Sequence, residues 1–312
     1  MERLFSIAAM VAVQAASMIA FFFPLAPAVA AEHVVYSVVP TDTDPNIHRA
    51  VEPHKIIFDR ASPSNARLLV FLPGTGVHPA DYTHLLGIAA EAGYRVVGLE
   101  YYSLPAVAAV CAKNPDPACS GNFREKRTYG KDLTSVIDDT AADSIINRLT
   151  KLLAFLEEKH RGEGWGNYLV NGAPNWGRIV VGGSSQGAGM AALIAKHTLV
   201  PRVVLLSSPF DTYSDANQLA PWILSAGTTP ADRWYGAYHQ REPMASVLKA
   251  AYEALGLDAS HVRVLNRDPL KSCQTNCFHL STAMDRATPL TQAGLPAYLE
   301  DWTFLLGQAQ QH

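Results

Sequence analysis

Between Arg178 and His197 the chain reads RIVVGGSSQGAGMAALIAKH, a buried strand, a glycine-pinched turn and a helix with one serine at the apex. Ile179, Val180 and Val181 form a short β-branched apolar run, which suits a buried strand. Gly183-Ser184-Ser185-Gln186-Gly187 then fits G-x-S-x-G with Ser185 at its centre. Ala188, Gly189, Ala191 and Ala192 follow, small residues that suit a helix lying close against a sheet. Where a strand turns sharply into a helix with a serine at the apex, the residues two places either side must be small. The glycine frame places Ser185, rather than Ser184, at that apex.

The segments around this turn alternate between strand and helix. His33 to Thr41 and Lys55 to Arg60 are β-rich runs split by a polar, proline-bearing loop, and they read as an antiparallel pair. Arg67 to Leu72 (RLLVFL) is nearly all apolar, as expected of a strand covered on both faces. Pro73-Gly74-Thr75-Gly76 ends it, a helical pattern runs from Ala80 to Ala92, and Arg95 to Tyr101 is another buried strand. Such a strand-helix-strand unit implies a parallel sheet. From Tyr102 to Thr140 the pattern reads as a long loop. Thr140 to Asp143 then resembles a capping box ahead of a helix whose Ile145, Leu149, Leu152 and Leu156 share one face. Trp165, Tyr168 and Trp176, in the turn leading to the serine strand, read as satellite core packing under a loop. Beyond the serine turn come a strand at Arg202 to Ser207 and an aromatic strand at Arg233 to Gln240. A helix at Met244 to Leu255, a strand at His261 to Leu265 and a last helix from about Leu295 to Leu306 complete the pattern.

The chain has 312 residues, 48% of them hydrophobic and 17% charged, with a formal charge of −3. That is ample for one large core, and the near-neutral balance with no basic run argues against a nucleic-acid partner. Arg3, the apolar stretch from Leu4 to Phe23, the breaks at Pro24 and Pro27, and Ala28-Val29-Ala30 together read as a secretory signal peptide over 1–31. An uncleaved anchor is the competing reading; the prolines and the small-residue site favour cleavage, leaving 32–312 as a single domain without stable membrane association. A periplasmic or secreted location follows. There Cys111, Cys119, Cys273 and Cys277 should be disulfides; three connectivities exist, and local pairing of 111 with 119 and 273 with 277 is the expectation. No C-x-x-C and no histidine at ligand spacing beside either pair supports a metal site, and no cofactor is called for.

If Ser185 is a nucleophile, it needs a base, an acid to orient that base, and amides to bind the developing negative charge. His279 is the histidine after Ser185 that lies in a loop directly behind the last strand. His197 falls inside a helix, His261 opens a strand and His239 lies within one. Glu242 leads the candidate acids because it follows the aromatic strand and precedes a helix, with Asp211 and Asp268 as alternatives. Gln186 supplies one amide, and Thr75 or Gly76 supplies the other.

With LPGTG upstream and GSSQGAG at the turn, the chain resembles a secreted α/β-hydrolase. Elbows of the S-Q-G type also occur in cutinases and acetylxylan esterases. A nearer likeness is a poorly characterised bacterial group with a G-x-S-Q-G-A-G elbow, a W-G-x-I segment before it and a C-terminal His-x-Ser/Thr stretch. Here these are Trp176 to Ile179, Gly183 to Gly189 and His279 to Ser281. The likeness runs from about Leu68 to Leu306. It departs from the commonest elbow in having Ser184 where histidine is frequent, and in having glutamate where aspartate is usual. The resemblance implies a mostly parallel, eight-stranded-type sheet with helices on both faces. The nucleophile then follows the fifth strand, the acid the seventh and the histidine the eighth. It also implies hydrolysis of small-molecule or polymer carboxylic esters. A secreted peptidase or amidase, and a non-catalytic binding protein on the same fold, are the alternatives.

Overall fold

The computed structural model describes residues 32–214 and 218–309. The expected signal peptide, 1–31, lies outside the described residues. Eight strands form the main sheet: β1 (His33–Val38), β2 (His54–Asp59), β3 (Leu68–Leu72), β4 (Arg95–Gly98), β5 (Ile179–Ser184), β6 (Val203–Leu206), β7 (Trp234–His239) and β8 (Val262–Leu265). Their order across the sheet is β1-β2-β4-β3-β5-β6-β7-β8. Strand β2 runs antiparallel to both neighbours, and every pair from β4 to β8 is parallel. This is the strand order of the α/β-hydrolase fold.

The apolar runs have a direct structural cause. Side chains alternate across a strand, so Leu68, Val70 and Leu72 of β3 enter one buried cluster while Leu69 and Phe71 enter another. Ile179 and Val181 of β5 side with the first group and Val180 with the second. On the second face lie helix α1 (Thr83–Glu91) and, at the far end of the chain, Leu299–Leu306. The first face is covered by helices α2 (Cys119–Tyr129), α3 (Ile145–Lys159), α4 (Gln186–His197) and α5 (Ala245–Ala254). A sheet with both faces covered has no place for polar alternation in its central strands. Trp165 and Tyr168 are fully buried in the first cluster, as part of the main core rather than a satellite of it.

Two features differ from the sequence reading. The stretch from 102 to 140 is not one loop, because it contains a short helix, Val107–Cys111, and the eleven-residue α2. Helix α2 escapes hydrophobic periodicity because Ser120, Arg124, Lys126, Arg127 and Thr128 are buried beside Cys119 and Phe123. Both guanidiniums are neutralised inside the protein. Arg127 pairs with Asp139 at 2.7 Å and donates to the carbonyls of Leu104 and Pro105. Arg124 pairs with Asp211. Buried charges survive only with such partners. The start of α3 also moves: Ser144, not Thr140, caps it by accepting the Asn147 N–H. Asp143 is instead turned to Arg148 at 2.8 Å, with the Thr140 hydroxyl donating to its other oxygen.

Both cysteine pairs are bonded locally, Cys111 to Cys119 and Cys273 to Cys277. Among the described residues no helix is long and apolar enough to cross a membrane.

His54, fully buried on β2, makes the fold sensitive to acid. Its Nδ1 accepts the Glu100 N–H at 2.9 Å, which requires a neutral ring. Burial, aided by the Arg148 charge, pushes the imidazole down to about 3. The unfolded chain, with its histidine near 6.5, therefore takes up the proton first. The stability contributed by His54 is complete above about pH 6.5 and is lost as pH falls towards 3. His54→Asn retains an acceptor near Nδ1 but cannot titrate. Urea unfolding at pH 6.5, 5.5 and 4.5 should show the variant losing about 1 kcal/mol less than the wild type over the first interval and about 1.3 kcal/mol less over the second. Parallel losses in the two proteins would contradict this assignment.

Candidate active site

The site is assembled where the C-terminal ends of β3, β5, β6 and β7 meet. Strand β5 ends at Ser184 and α4 begins at Gln186, leaving Ser185 alone at the corner with φ 52° and ψ −126°. A non-glycine residue in that conformation is strained, and it persists only where the surroundings hold it. Here they do. The Ser185 N–H donates to the Leu206 carbonyl on β6 at 2.8 Å, and its own carbonyl accepts from Gly189.

The two framing glycines are required by close backbone approach. A Cβ on Gly187 would sit 2.0 Å from the Leu72 carbonyl oxygen, and one on Gly183 would sit 2.5 Å from the Gly187 carbonyl carbon. The end of β3 thus packs directly beneath the turn. Gly189, one helical turn into α4, has a different partner: its Cβ would fall 2.3 Å from the Arg124 guanidinium. That guanidinium donates to Asp211 through two bonds of 2.6 Å and to the Gln186 carbonyl at 3.1 Å. Asp211 is therefore committed to Arg124, and also accepts from the Trp222 indole at 2.9 Å. It braces α4 from behind and does not reach His279.

Glu242 and His279 are brought together. The carboxylate lies in the turn after β7, where its Oε1 accepts from the His239 N–H at 2.8 Å and from the Ser207 hydroxyl at 3.0 Å. Its Oε2 lies 2.6 Å from His279 Nδ1, and its side chain is wholly shielded from solvent. His279 sits in the short helix Cys277–Leu280, immediately after the loop closed by the second disulfide. The Thr282 hydroxyl donates to the His279 carbonyl at 2.9 Å, and the Phe210 ring packs edge-on against the imidazole at 6.0 Å. A carboxylate on Nδ1 leaves Nε2 as the free ring nitrogen. Asp268, the remaining candidate acid, is exposed and paired with Arg241. Among the other histidines, His197 meets Glu125, His239 contacts the Arg267 carbonyl, and His261 contacts the Trp234 carbonyl.

Ser185, Thr75, Glu242 and His279 line one cleft of about 350 Å³. The loop after β3 offers three successive amides, and their partners separate them. Gly74 donates to the Tyr82 hydroxyl at 3.1 Å, and Gly76 donates to the Ser103 hydroxyl at 2.9 Å. Gly76 is exposed and its amide is engaged by the Ser103 hydroxyl. The Thr75 N–H has no partner among the described residues. Gln186 opens α4, and the first amides of a helix lack intrahelical partners. The side chain of Gln186 has a separate task. Its oxygen accepts the Val107 N–H at 2.7 Å and its nitrogen donates to the Ser103 carbonyl, fastening the 103–107 segment over the turn.

Sequence reasoning missed Ser207 and Arg124. Ser207, fully buried with φ 54°, holds Glu242 from the end of β6, and nothing in the local pattern distinguishes it from any strand-end serine. Arg124 lay in a segment read as loop. Its one sequence signal was Gly189, a glycine inside a helix that needed a neighbour to explain it.

No protein-family model matches the chain, and no curated protein matches it. Solved structures overlap it loosely. An esterase of the bacterial hormone-sensitive lipase family is 16% identical with a TM-score of 0.47, over 92% of this chain and 87% of that one. Carboxyl esterase 2 of Tuber melanosporum is 11% identical with a TM-score of 0.44, over 91% and 88%. An esterase of Thermogutta terrifontis is 13% identical with a TM-score of 0.40, over 75% and 81%. The chain's own strand order and its strand-serine-helix turn, rather than these overlaps, assign it the α/β-hydrolase fold.

Proposed function

We propose that this protein is an exported serine hydrolase that cleaves carboxylic esters through an acyl-enzyme intermediate. The observation that carries the reading is the buried 2.6 Å contact between His279 Nδ1 and Glu242, opening on the cleft that Ser185 lines. In this reading His279 Nε2 takes the Ser185 hydroxyl proton as the oxygen attacks the ester carbonyl. Glu242 holds the ring in the tautomer that can accept it and balances the imidazolium that forms. The amides of Thr75 and Gln186 bind the oxyanion, and the protonated His279 then protonates the departing alcohol. Water repeats the sequence on the acyl-enzyme and returns Ser185. Export is part of the same proposal, supported by the signal-like 1–31 segment and by two disulfides.

Pre-steady-state hydrolysis of 4-nitrophenyl acetate tests the reading. A burst of nitrophenolate approaching one equivalent per chain, followed by slower turnover, is expected when acylation outpaces deacylation. Absence of release above the buffer rate for any short-chain ester would overturn it.

A further inference from the structure

The cleft that holds Ser185 and His279 differs in character from one neighbour to the other. It shares Phe210 and Met244 with a second hollow of about 180 Å³, walled by Val107, Ala108 and the first disulfide's Cys111. It shares Leu280 and Arg286 with a third hollow of about 260 Å³, walled by Ser272, Gln274 and Thr275 of the second disulfide loop. The first extension is apolar, and the second mixes polar and apolar groups.

Arg286 is the one lysine or arginine lining the central cleft. It is exposed, and no carboxylate pairs with it among the described residues. The acidic groups nearby are already engaged. Asp285 accepts the Thr83 and His84 amides at the start of α1, at 2.8 and 3.2 Å. Asp81 accepts the His78 amide, and Glu242 is held by His279. The charge of Arg286 also reaches the site. Burial pushes the Tyr82 phenol up to about 12, Arg286 pulls it the other way, and Tyr82 accepts from Gly74 beside the serine turn. Ligand clefts are mostly apolar with a few polar groups that fix orientation, and an unpaired guanidinium among them is suited to a planar oxyanion.

Resting on the ester-hydrolase reading, we propose that the substrate is an anionic ester whose carboxylate pairs with Arg286. Its apolar portion extends past Phe210 and Met244 into the aliphatic hollow. The guanidinium offers a bidentate, charge-assisted contact to the carboxylate. Because Arg286 is exposed, the contact is worth the modest gain of a surface pair rather than that of a buried one.

Two matched substrate pairs test this, each exchanging a methyl group for a carboxylate. On the acyl side the pair is 4-nitrophenyl pentanoate and the mono-4-nitrophenyl ester of pentanedioic acid. On the alcohol side it is 4-methylbenzyl acetate and 4-(acetoxymethyl)benzoate. The quantity to read is the charged-to-neutral ratio of kcat/KM in wild type, Arg286→Gln and Arg286→Lys. At least one pair should show a ratio about 2- to 5-fold lower in the glutamine variant, with the lysine variant in between. The responding pair identifies whether the acyl or the alcohol portion carries the charge. Turnover with ratios unchanged by Arg286→Gln in both pairs would overturn this inference alone. No turnover of any of the four esters would overturn the ester-hydrolase reading and this inference with it.

Discussion

Ser185→Ala should lose 4-nitrophenyl acetate turnover by on the order of 10⁴-fold or more, with Ser184→Ala retaining activity well above it. The two serines are adjacent, yet the backbone treats them differently. Ser184 is the last residue of β5, pairs in register with Leu206 of β6, and is buried. Ser185 is half-buried at the corner with φ 52° and starts no regular element of its own. A reacting side chain must meet both the substrate carbonyl and the base, which favours the corner position. Alanine at 185 removes the oxygen without filling space or disturbing the N–H bond to Leu206, so thermal stability should change little. Equal turnover by the wild type and Ser185→Ala would move the chemistry elsewhere.

Glu242→Gln should lower kcat by on the order of 10² to 10⁴-fold while leaving KM and the unfolding midpoint nearly unchanged. The reason lies in how the carboxylate is held. Oε1 accepts from two donors, the His239 N–H and the Ser207 hydroxyl. A glutamine oxygen will keep that position, because an amide NH₂ there would face two donors. The NH₂ group must then face His279 Nδ1 and donate to it. That places the ring proton on Nε2, the nitrogen that has to accept from Ser185. The variant therefore retains the side-chain shape but enforces the unproductive tautomer. Steady-state kinetics with circular dichroism and thermal unfolding separates this outcome from misfolding. A kcat within a few-fold of wild type would show that Glu242 does not orient the base.

How much of this could be read from the residues depended on whether a constraint was local. The serine turn was legible because close backbone contact admits only small residues at 183 and 187, and the alphabet has few such residues. The sheet was legible because strands covered on both faces are continuously apolar, as LLVFL and IVV are. Glu242 and His279 were legible only through topology: each falls in the loop behind a particular strand, and the fold carries those loops to one sheet edge. Helix α2 was not legible, because it buries arginines and its stability depends on Asp211 and Asp139 far from the helix pattern itself. The same long-range pairing separates Asp211 from Glu242: both follow strands, but only one has an arginine waiting for it. Thr75 and Gly76 could not be told apart in sequence, since the distinction rests on the Ser103 hydroxyl, twenty-seven positions further along.

In the proposed mechanism Ser185 carries the reactive oxygen, activated by the Glu242–His279 pair. Incubation of the folded protein with a fluorophosphonate, followed by intact-mass measurement and tandem mass spectrometry of the elbow peptide, tests it most directly. One phosphonyl adduct per chain is expected, located on Ser185, forming much more slowly in Glu242→Gln and absent from Ser185→Ala. An adduct on Ser184, or none on the wild-type chain under conditions that label a known serine esterase, would contradict it.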